Sequence, residues 1–327
     1  MRKINYASAI REGFEFLLAN YDEFFVIGQG LWSPWYVGET MKDLDKKFGV
    51  ERVIDTPVSE NACTGAGVGA SIAGLKTVVV HPRMDFMLYA IDPIVNQAAK
   101  WSSMFGSQTS AGVTIRSIIN RGGQQGAQHS QAFHPWFSNV PGLRVIMPYS
   151  VKDARDLLIS SALSNDPVIF IDDRWLYDTE DNLGDVEILD LSKQKPNLLK
   201  KGNDVTIVGS GYSTFLGNAI HEKLLLDNIT AEIIDMRVLN PIDTDLISNS
   251  VSKTKNLVVI DGGWEQCGIG AEIIAQILEN KTSKNVDFNF KRFSTQFAPA
   301  PSSQILENEF YPKIDEIIKY IRVSIEK

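Results

Sequence analysis

The sequence predicts an α/β fold with two doubly wound domains, each built on a mostly parallel sheet. Short runs of β-branched and aromatic residues alternate with helical patterns along the chain. These runs are apolar almost throughout, which is typical of parallel strands buried on both faces. The alternation lapses once and then resumes, and a chain of 327 residues is long enough for two cores. We therefore predict one domain over residues 1–190 and a second over residues 191–327.

The first predicted domain opens with an amphipathic helix, because apolar residues recur at helical spacing between Ile4 and Leu18. A segment rich in small residues after Glu60 predicts a second helix. A third is expected over residues 151–163, where Ser150 can cap the first turn. The strand candidates of this domain cover residues 24–28, 52–55, 77–81, 113–119, 144–148 and 168–172.

Residues 177–203 are predicted to form a linker, since scattered charges, Pro196 and Gly202 interrupt any periodic pattern. The second predicted domain then resumes the alternation of strands and helices. Its helix candidates cover residues 215–227, 246–252 and 271–280, and its strand candidates cover residues 205–209, 231–235, 257–261 and 286–290.

The composition limits the classes of protein to which this chain can belong. Lys and Arg total 32 while Asp and Glu total 40, and the net charge of −8 argues against a nucleic-acid-binding face. Cys63 and Cys267 are far apart and form no zinc or disulfide pattern, which favours a reducing compartment. No apolar run approaches the roughly 18 residues of a membrane span, and the first residues lack the apolar core of a signal peptide. We therefore expect a cytoplasmic protein without membrane or nucleic-acid partners.

Glu60 is the first candidate for chemistry. It lies where a predicted strand passes into the small-residue helix, and ligands of open α/β sheets bind at such strand ends. An acid in the first turn also complements the helix dipole, so position alone leaves both interpretations open. Interior glycines destabilise a helix and suggest that another backbone approaches it closely. The helix and its end carry Gly65, Gly67, Gly69 and Gly74.

Two further segments follow predicted strands. The glycine-rich loop from Arg121 to Gln131 includes His129, a residue that can exchange a proton near neutral pH but is often only solvated in a loop. In the segment 81–86, Phe86 is either a core residue or a ring that stacks on a flat ligand. His134 does not indicate a metal site, because no cysteine or acidic cluster accompanies it.

A glycine turn in the second domain is a weak dinucleotide-binding signal. Gly209 and Gly211 follow a strand, and Asp235 ends the next strand at a suitable spacing. Thr214, however, stands where the fingerprint has a third glycine or alanine. A tight turn without a cofactor explains the same residues.

Five stretches of the chain carry recognisable motifs in a fixed order. They are Asp55-Thr-Pro-Val-Ser-Glu60, Ala90-Ile-Asp92 with Asn96-Gln-Ala-Ala-Lys100, Gly126-Ala-Gln-His-Ser-Gln131, Pro141-Gly-Leu-Arg-Val145, and Asp261 to Glu272 with its Trp264 and Gly268-Ile-Gly-Ala-Glu272. Together they resemble the beta chain of the thiamine-diphosphate-dependent 2-oxo acid dehydrogenases, the first component of the pyruvate and branched-chain complexes. The resemblance extends over nearly the whole chain.

This resemblance implies a pyrimidine-binding, transketolase-like domain followed by a transketolase C-terminal-like domain. It implies that Glu60 hydrogen-bonds the aminopyrimidine ring of thiamine diphosphate and activates the cofactor. It also implies that Phe86 packs on that ring, that Val58 and Pro82 line the cofactor, and that His129 faces the substrate. The implied reaction is decarboxylation of a 2-oxo acid, with transfer of the acyl unit to an acceptor.

The resemblance also implies partners. The family holds the cofactor through Mg²⁺ with a Gly-Asp-Gly motif followed by Asn-Asn, and neither motif occurs in this chain. An alpha subunit is therefore expected to supply the Gly-Asp-Gly motif and the Mg²⁺ ion, in an α2β2 heterotetramer that contains a beta–beta dimer. A lipoyl-bearing acyltransferase is an implied further partner. The loop 162–167, where related chains hold potassium, is one residue short, so we expect no metal in this chain.

Departures from the family pattern concern the substrate. Gln29 and Gly30 stand where the family usually has an acidic pair, Arg83 and Asp85 add charge near the cofactor, and His134 replaces a small residue. Specificity for pyruvate is therefore not assumed. Two alternatives remain: a split transketolase-like or deoxyxylulose-phosphate-synthase-like subunit that transfers ketol groups, and a non-catalytic scaffold subunit with the same fold.

Overall fold

The structure, a computed structural model, describes residues 2–279 and 287–325. The chain divides into two compact units, which are described separately. The first unit contains the chain up to Arg121 together with Trp136–Gln194, and the second contains Gly122–Pro135 together with the chain from Lys195 onward. The predicted functional loop with His129 therefore belongs by its contacts to the second unit.

The first unit is a layered α/β structure around a parallel sheet. Its strands are β1 (Arg2–Asn5), β2 (Phe24–Gln29), β3 (Val53–Thr56), β4 (Lys76–His81), β5 (Val113–Ile119), β6 (Arg144–Ile146), β7 (Val168–Asp173) and β8 (Glu180–Leu183). Its helices are α1 (Tyr6–Asn20), α2 (Leu44–Phe48), α3 (Glu60–Ile72), α4 (Met84–Met87) and α5 (Ala99–Met104), then α6 (His134–Ser138) at the change of unit, and α7 (Val151–Leu163). The parallel strands follow the order β6-β7-β5-β4-β2-β3, and β1 pairs with β8 in antiparallel orientation.

The second unit repeats this architecture on a smaller scale. Its strands are β9 (Asn197–Lys200), β10 (Val205–Gly209), β11 (Ala231–Asp235), β12 (Val238–Asn240), β13 (Asn256–Trp264) and β14 (Asn289–Thr295). Its helices are α8 (Tyr212–Leu225), α9 (Asp245–Thr254), α10 (Ile269–Glu279), α11 (Gln304–Phe310) and α12 (Ile314–Ile325). The sheet order is β14-β13-β10-β11-β9, parallel except for β9. Ile207, Ile233 and Val258 from the sheet pack with Ile220 of α8 and Ile317 of α12 in one buried core.

The predicted α/β class and the parallel sheets are confirmed. Every residue of β5 is buried, as its uninterrupted apolar pattern predicts. The helix predicted over residues 151–163 is α7, and Ser150 Oγ accepts a hydrogen bond of 3.0 Å from the backbone N–H of Asp153. Local propensity and capping therefore agree with the tertiary fold at this helix.

Some boundaries differ from the predictions. The N-terminal helix begins only at Tyr6, because Asn5 Oδ1 accepts a hydrogen bond of 2.8 Å from the N–H of Ser8 and the preceding residues form β1. The predicted linker contains β8 and β9. Residue 286 of the strand predicted over 286–290 lies outside the described residues, and β14 begins at Asn289. The segment 122–135 interrupts the predicted first domain, and folding of residues 1–190 as a domain remains a prediction.

The core of the first unit contains a charged network. Arg116, in the middle of β5, is fully buried, and its Nε and Nη2 donate to the two carboxylate oxygens of Asp172 at 3.0 and 2.8 Å. Its Nη1 donates to Thr40 Oγ1 at 2.9 Å, and its Nη2 also reaches the hydroxyl of Tyr177 at 3.0 Å. The guanidinium lies 5.7 Å from the ring centroid of Phe14. Each polar atom of this buried arginine therefore has a partner, as a buried charge requires.

A lysine side chain ties together the loop between α7 and β7. Lys76 begins β4, and its Nζ donates to the carbonyl oxygens of Leu163 (3.2 Å) and Ser164 (3.5 Å) and to Asn165 Oδ1 (3.4 Å). Burial lowers the pKa of this amine. Cations near the end of a helix satisfy carbonyl groups that have no partner within the helix. The Lys76 ammonium therefore supplies the positive charge at the end of α7.

Replacing Lys76 with methionine is expected to lower the free energy of unfolding by about 1.5–3 kcal/mol, because three oxygens lose a charged donor. Urea unfolding of the intact chain measures the difference. Lys193→Met is the matched control, because its exposed ammonium pairs with Asp190, and we expect a loss within about 1 kcal/mol. Equal losses in the two variants would contradict the role of Lys76.

Candidate active site

Four of the predicted site residues lie in the first unit, near the carboxyl ends of β3 and β4. Glu60 is the first residue of α3, and Val58 lies in the short connection between β3 and α3. Pro82 follows β4 directly, and Phe86 lies in α4. Because β2 pairs in parallel with both β3 and β4, these strand ends lie at the same edge of the sheet. That edge is where open α/β sheets bind ligands.

Glu60 has a half-buried side chain at the start of α3. Ser59, the N-cap residue, makes no side-chain cap hydrogen bond. Among the residues that the structure describes, none forms a hydrogen bond or an ion pair with the Glu60 carboxylate. A half-buried carboxylate without a protein partner remains available to pair with a ligand or with water. The geometry therefore suits a ligand-binding acid better than a helix-dipole acid alone.

Helix α3 is held directly beside the segment that follows β4. A Cβ atom on Gly67 would lie 2.4 Å from Val79 Cγ2, so only glycine fits where α3 crosses β4. The close neighbour at Gly67 is thus a side chain of β4 rather than another backbone. Thr64 Oγ1 lies 3.0 Å from His81 Nε2, and Asn61 Nδ2 donates to the carbonyl of Tyr89 at 3.3 Å. These contacts fix the start of α3 relative to Pro82 and Phe86.

The other glycines of this helix have different surroundings. Gly65 and Gly69 face open space, with no atom within 4 Å of a Cβ built on either residue. Gly74 lies beyond the end of α3 with a φ of +96°, in the left-handed region that favours glycine. The prediction of close backbone approach is therefore wrong for the contacts that this chain makes with itself.

His81 is buried behind the site, at the end of β4. Burial lowers the pKa of its imidazole from 6.5 to about 4. The neutral ring therefore persists in the folded chain at pH values where an exposed histidine becomes charged. The hydrogen bond with Thr64 joins this neutral ring to α3.

The free energy of unfolding is expected to fall by about 3 kcal/mol from His81 alone as the pH drops from 6.5 to about 4. In that window the unfolded chain binds a proton at His81 and the folded chain does not, so stability rises with pH. Urea unfolding of the wild type and of His81→Gln between these pH values measures this contribution as a difference. The glutamine amide can still hydrogen-bond Thr64 while it does not titrate. Identical pH slopes in the two proteins would refute the assignment.

The three apolar residues predicted to line the cofactor differ in exposure. Val58 is 69% exposed, which is unusual for an aliphatic residue at a strand end. Phe86 is half-buried, while Pro82 is buried. The carbonyl oxygen of Pro82 accepts a hydrogen bond of 3.0 Å from Asn120 Nδ2, which fixes the backbone at the end of β4. The exposed parts of Val58 and Phe86 offer an apolar surface beside the Glu60 carboxylate.

His129 lies in the segment Gly122–Pro135 of the second unit and is half-buried. Its backbone N–H donates to the carbonyl of Gly126 at 3.4 Å, and Gly126 has a φ of +73°. The segment is anchored where the N–H of Gln124 donates to Glu307 Oε2 at 3.0 Å. Because His129 and Glu60 belong to different units, their predicted sharing of one site stays a prediction.

A buried hydrogen-bonded pair anchors the far end of the same segment. His134 Nε2 lies 2.8 Å from Asp261 Oδ1, and both side chains are almost fully buried. Burial alone would raise the pKa of Asp261, but His134 and the N–H groups of Gly263 and Gly270 hold that pKa below its ordinary value. This pair could not be predicted from the sequence, because its two residues lie 127 positions apart and carry no mutual signal. His134 therefore has a structural partner in the second unit.

At the glycine turn of the second unit, the acid that would bind the ribose of a dinucleotide already has a protein partner. Asp235 is buried, and its Oδ1 accepts a hydrogen bond of 3.0 Å from Thr214 Oγ1. A Cβ on Gly209 would lie 2.7 Å from the backbone of Ser213, so this glycine permits the tight turn into α8. The structure therefore favours a packing role over dinucleotide binding at this turn.

Two further functional candidates at the sheet edge, Asn120 and Arg174, were not predicted from the sequence. Asn120 follows β5, and its Oδ1 accepts a hydrogen bond of 2.9 Å from Nη1 of Arg174, which follows β7. Arg83 Nη1 donates to the carbonyl of Pro82 at 3.3 Å. Asn120 and Arg174 belong to no motif. Their position directly after an apolar strand was the one signal that could have identified them.

The residues present fit one part of thiamine diphosphate. A carboxylate without a protein partner, a half-buried aromatic residue and an exposed aliphatic side chain match the hydrogen-bonding edge and the flat face of an aminopyrimidine ring. The metal-bound diphosphate has no comparable ligand set. Over residues 2–279 and 287–325, no group of three or more His, Cys, Asp or Glu side chains could hold a metal ion.

Comparison with known proteins agrees with this fit. Residues 2–179 match the transketolase pyrimidine-binding domain family, and residues 194–317 match the transketolase C-terminal domain family. A split-gene transketolase, solved as an inactive beta4 tetramer, has the same fold, with a TM-score of 0.75, 18% identity, and coverage of 99% of this chain and 98% of the other.

Curated relatives are similar along most of their length. The beta subunit of the pyruvate dehydrogenase E1 component from Drosophila melanogaster is 34% identical over 92% of this chain and 80% of the relative. The beta-1 subunit from Arabidopsis thaliana is 37% identical over 90% and 82%, and the bovine beta subunit is 33% identical over 94% and 83%.

The expectation of a cytoplasmic protein is wrong by these comparisons. The Drosophila, Arabidopsis and bovine relatives are all named as mitochondrial proteins. Cysteine usage cannot distinguish the two compartments, because a reducing matrix and a reducing cytosol permit the same free thiols. In the part of the chain that the structure describes, no helix is long and apolar enough to cross a membrane.

Both domain families match in order, and the relatives are more than 30% identical over most of each chain. The chain therefore belongs to the family of pyruvate dehydrogenase E1 component beta subunits.

Proposed function

We propose that this chain is the beta subunit of a thiamine-diphosphate-dependent enzyme that decarboxylates a 2-oxo acid and passes the acyl unit to an acceptor. The observation that carries the proposal is the Glu60 carboxylate, which is half-buried at the ligand-binding edge and has no partner among the described residues. When bound, the cofactor supplies a carbon nucleophile and an electron sink for decarboxylation.

Each site residue of the chain has a separate task in this proposal. Glu60 holds or releases a proton at its carboxylate oxygen, against the ring nitrogen of the aminopyrimidine. Phe86 and Val58 exclude water from the ring, and Pro82 supports the wall beneath it. His129 moves a proton to or from the substrate, or orients the acyl acceptor.

The proposal includes a partner. The Gly-Asp-Gly motif is absent from the sequence, and the described residues contain no metal-binding cluster. We infer that an alpha subunit with that motif holds the diphosphate and Mg²⁺, and that two chains of each kind form an α2β2 heterotetramer. A lipoyl-bearing acyltransferase is the inferred acyl acceptor.

The test reconstitutes this chain with an alpha subunit that carries the Gly-Asp-Gly motif. Calorimetric titration with thiamine diphosphate and Mg²⁺ is expected to show saturable heat for the complex and none for either chain alone. CO₂ release from 2-oxo acids is then followed with a two-electron dye as oxidant and water as acyl acceptor. Cofactor heat without turnover of any 2-oxo acid would contradict the proposed reaction. Ketol transfer between sugar phosphates would support the transketolase-like alternative, and absence of cofactor heat would support a scaffold.

A further inference from the structure

Three arginines lie at the carboxyl edge of the first unit's sheet, together with the acids Asp55, Glu60, Asp85 and Asp173. Arg83 follows β4, Arg121 follows β5 and Arg174 follows β7, and these three strands are neighbours in the sheet. The chain as a whole is acidic, with a net charge of −8. Three arginines at a ligand-binding edge are therefore a local feature that needs an explanation.

Arg121 is accounted for by the chain itself. Its Nη2 lies 2.9 Å from Asp173 Oδ2, and both side chains are buried. Its guanidinium lies 5.8 Å from the ring centroid of Trp175. A buried carboxylate and an aromatic face together compensate this charge.

Arg83 and Arg174 are held differently, by uncharged acceptors. Arg83 donates to the carbonyl of Pro82, while Arg174 donates to Asn120 Oδ1 and, at 3.2 Å, to the carbonyl of Trp35. Within the described ranges, neither guanidinium has a carboxylate oxygen within 4.0 Å. Both positive charges are therefore positioned but not neutralised by close ion pairing.

Arg83 and Arg174 are also connected to each other through the side chain of Asn120. The amide of Asn120 donates to the Pro82 carbonyl and accepts from Arg174, so it links the attachment points of both guanidinium groups. Burial, followed by the positive charge of Arg174, lowers the pKa of Arg83, while the buried Asp85 opposes this at longer range. Arginine stays protonated at neutral pH despite such shifts. The two like charges thus lie close enough to interact at this edge of the sheet.

Strand β2, next to β4, ends at the same edge in an uncharged residue. β2 pairs with β4 and ends at Gln29, whose Nε2 donates to the hydroxyl of Tyr36 at 2.9 Å. The N–H of Gly30 donates to Asp55 Oδ1 at 2.6 Å, so the carboxylate at the end of β3 is bound by a backbone N–H group rather than by an arginine.

We propose that Arg83 and Arg174 bind a second carboxylate on the 2-oxo acid substrate. Guanidinium groups bind carboxylates through strong, often paired N–H···O bonds, and pyruvate has no second carboxylate to offer. This inference rests on the proposed function and assigns its substrate class, a 2-oxo acid with an acidic side chain. The cofactor's diphosphate is the other oxyanion source, and the experiment separates the two.

The experiment compares kcat/KM for 2-oxoglutarate and pyruvate in the reconstituted complex, using wild type, Arg83→Met and Arg174→Met. We expect the wild type to prefer 2-oxoglutarate, and each variant to lower this preference by roughly 10- to 100-fold. Arg144→Met is the matched control, because Arg144 pairs with Asp166 away from the sheet's carboxyl edge. It is expected to leave the preference unchanged.

A binding measurement provides a readout that does not depend on turnover. Succinate is expected to raise the thermal midpoint of the complex more than butyrate of equal concentration, and each arginine variant is expected to abolish that difference. A preference of the wild type for pyruvate, or an unchanged preference in both variants, would overturn the inference while leaving the proposed function intact. A weaker affinity for thiamine diphosphate with an unchanged substrate preference would assign the arginines to the diphosphate instead. If no 2-oxo acid is turned over while succinate still binds through the arginines, the proposed function fails and the anion site stands.

Discussion

Replacing Glu60 with glutamine is expected to lower kcat of the reconstituted complex by roughly 100- to 10,000-fold. Glutamine has nearly the same shape as glutamate and keeps a hydrogen-bonding oxygen, but its amide cannot hold or release the proton. A loss of this kind lowers kcat and kcat/KM together, because the missing interaction is needed for the chemical step. Steady-state decarboxylation with a dye acceptor measures both constants.

A matched control separates this role from the helix dipole. Asp245 is an exposed acid in the first turn of α9, in the same helical position as Glu60 in α3. Asp245→Asn and Glu60→Gln each remove one charge from a helix start, and each should cost about 0.3–1 kcal/mol of stability. Only Glu60→Gln is expected to abolish turnover. Full activity of Glu60→Gln would show that this acid serves only the helix.

Replacing Arg116 with methionine is expected to lower the free energy of unfolding by about 3–5 kcal/mol. Methionine fills much of the arginine's volume, but it leaves the fully buried Asp172 carboxylate without its bidentate partner. It also removes a donor from Thr40 and from Tyr177. Denaturant unfolding followed by circular dichroism gives the difference in midpoint and in free energy.

The exposed pair of Arg322 and Asp227 provides the control for Arg116. Its side chains are 53% and 37% exposed, and loss of such a pair costs about 0–1 kcal/mol. We expect Arg322→Met to fall in that range. The double replacement Arg116→Met with Asp172→Leu should lose less than Arg116→Met alone, because no charge is then left buried. A double variant less stable than the single one would mean that the network contributes more than charge compensation.

Periodicity and capping predicted much of the fold. The uninterrupted apolar run of β5 predicts a doubly buried strand, and Ser150 predicts the start of α7, because both signals are local in sequence. The position of Glu60 at a strand end is likewise a local property, so its place at the ligand edge follows from the order of elements.

The parts that were not predicted depend on contacts between distant residues. The carboxylate of Asp172 and the guanidinium of Arg116 are 56 positions apart, and neither shows in the sequence that the other compensates it. The partners of Arg174 are found only when β5 and β7 lie side by side. Hydrophobic patterning determines which elements form, whereas pairing of buried polar groups depends on how those elements meet.

The segment Gly122–Pro135 limits how the second unit can be separated from the rest of the chain. Because it belongs by contacts to the second unit, the chain passes from one unit to the other at residues 121/122, 135/136 and 194/195. A fragment that starts at Lys195 keeps Asp261 and Glu307 as buried carboxylates but lacks His134 and Gln124, their partners on this segment.

The second unit is therefore assembled from two stretches of chain, and an exchange of its C-terminal stretch alone divides contacts such as His134–Asp261 between two parents. A chimera that takes only residues 195–327 from a relative combines a foreign Asp261 position with the native His134. A compatible exchange must move residues 122–135 together with the C-terminal stretch. Exchange of segments between this chain and a relative is thus constrained by pairs such as His134 and Asp261 as well as by the position of the linker.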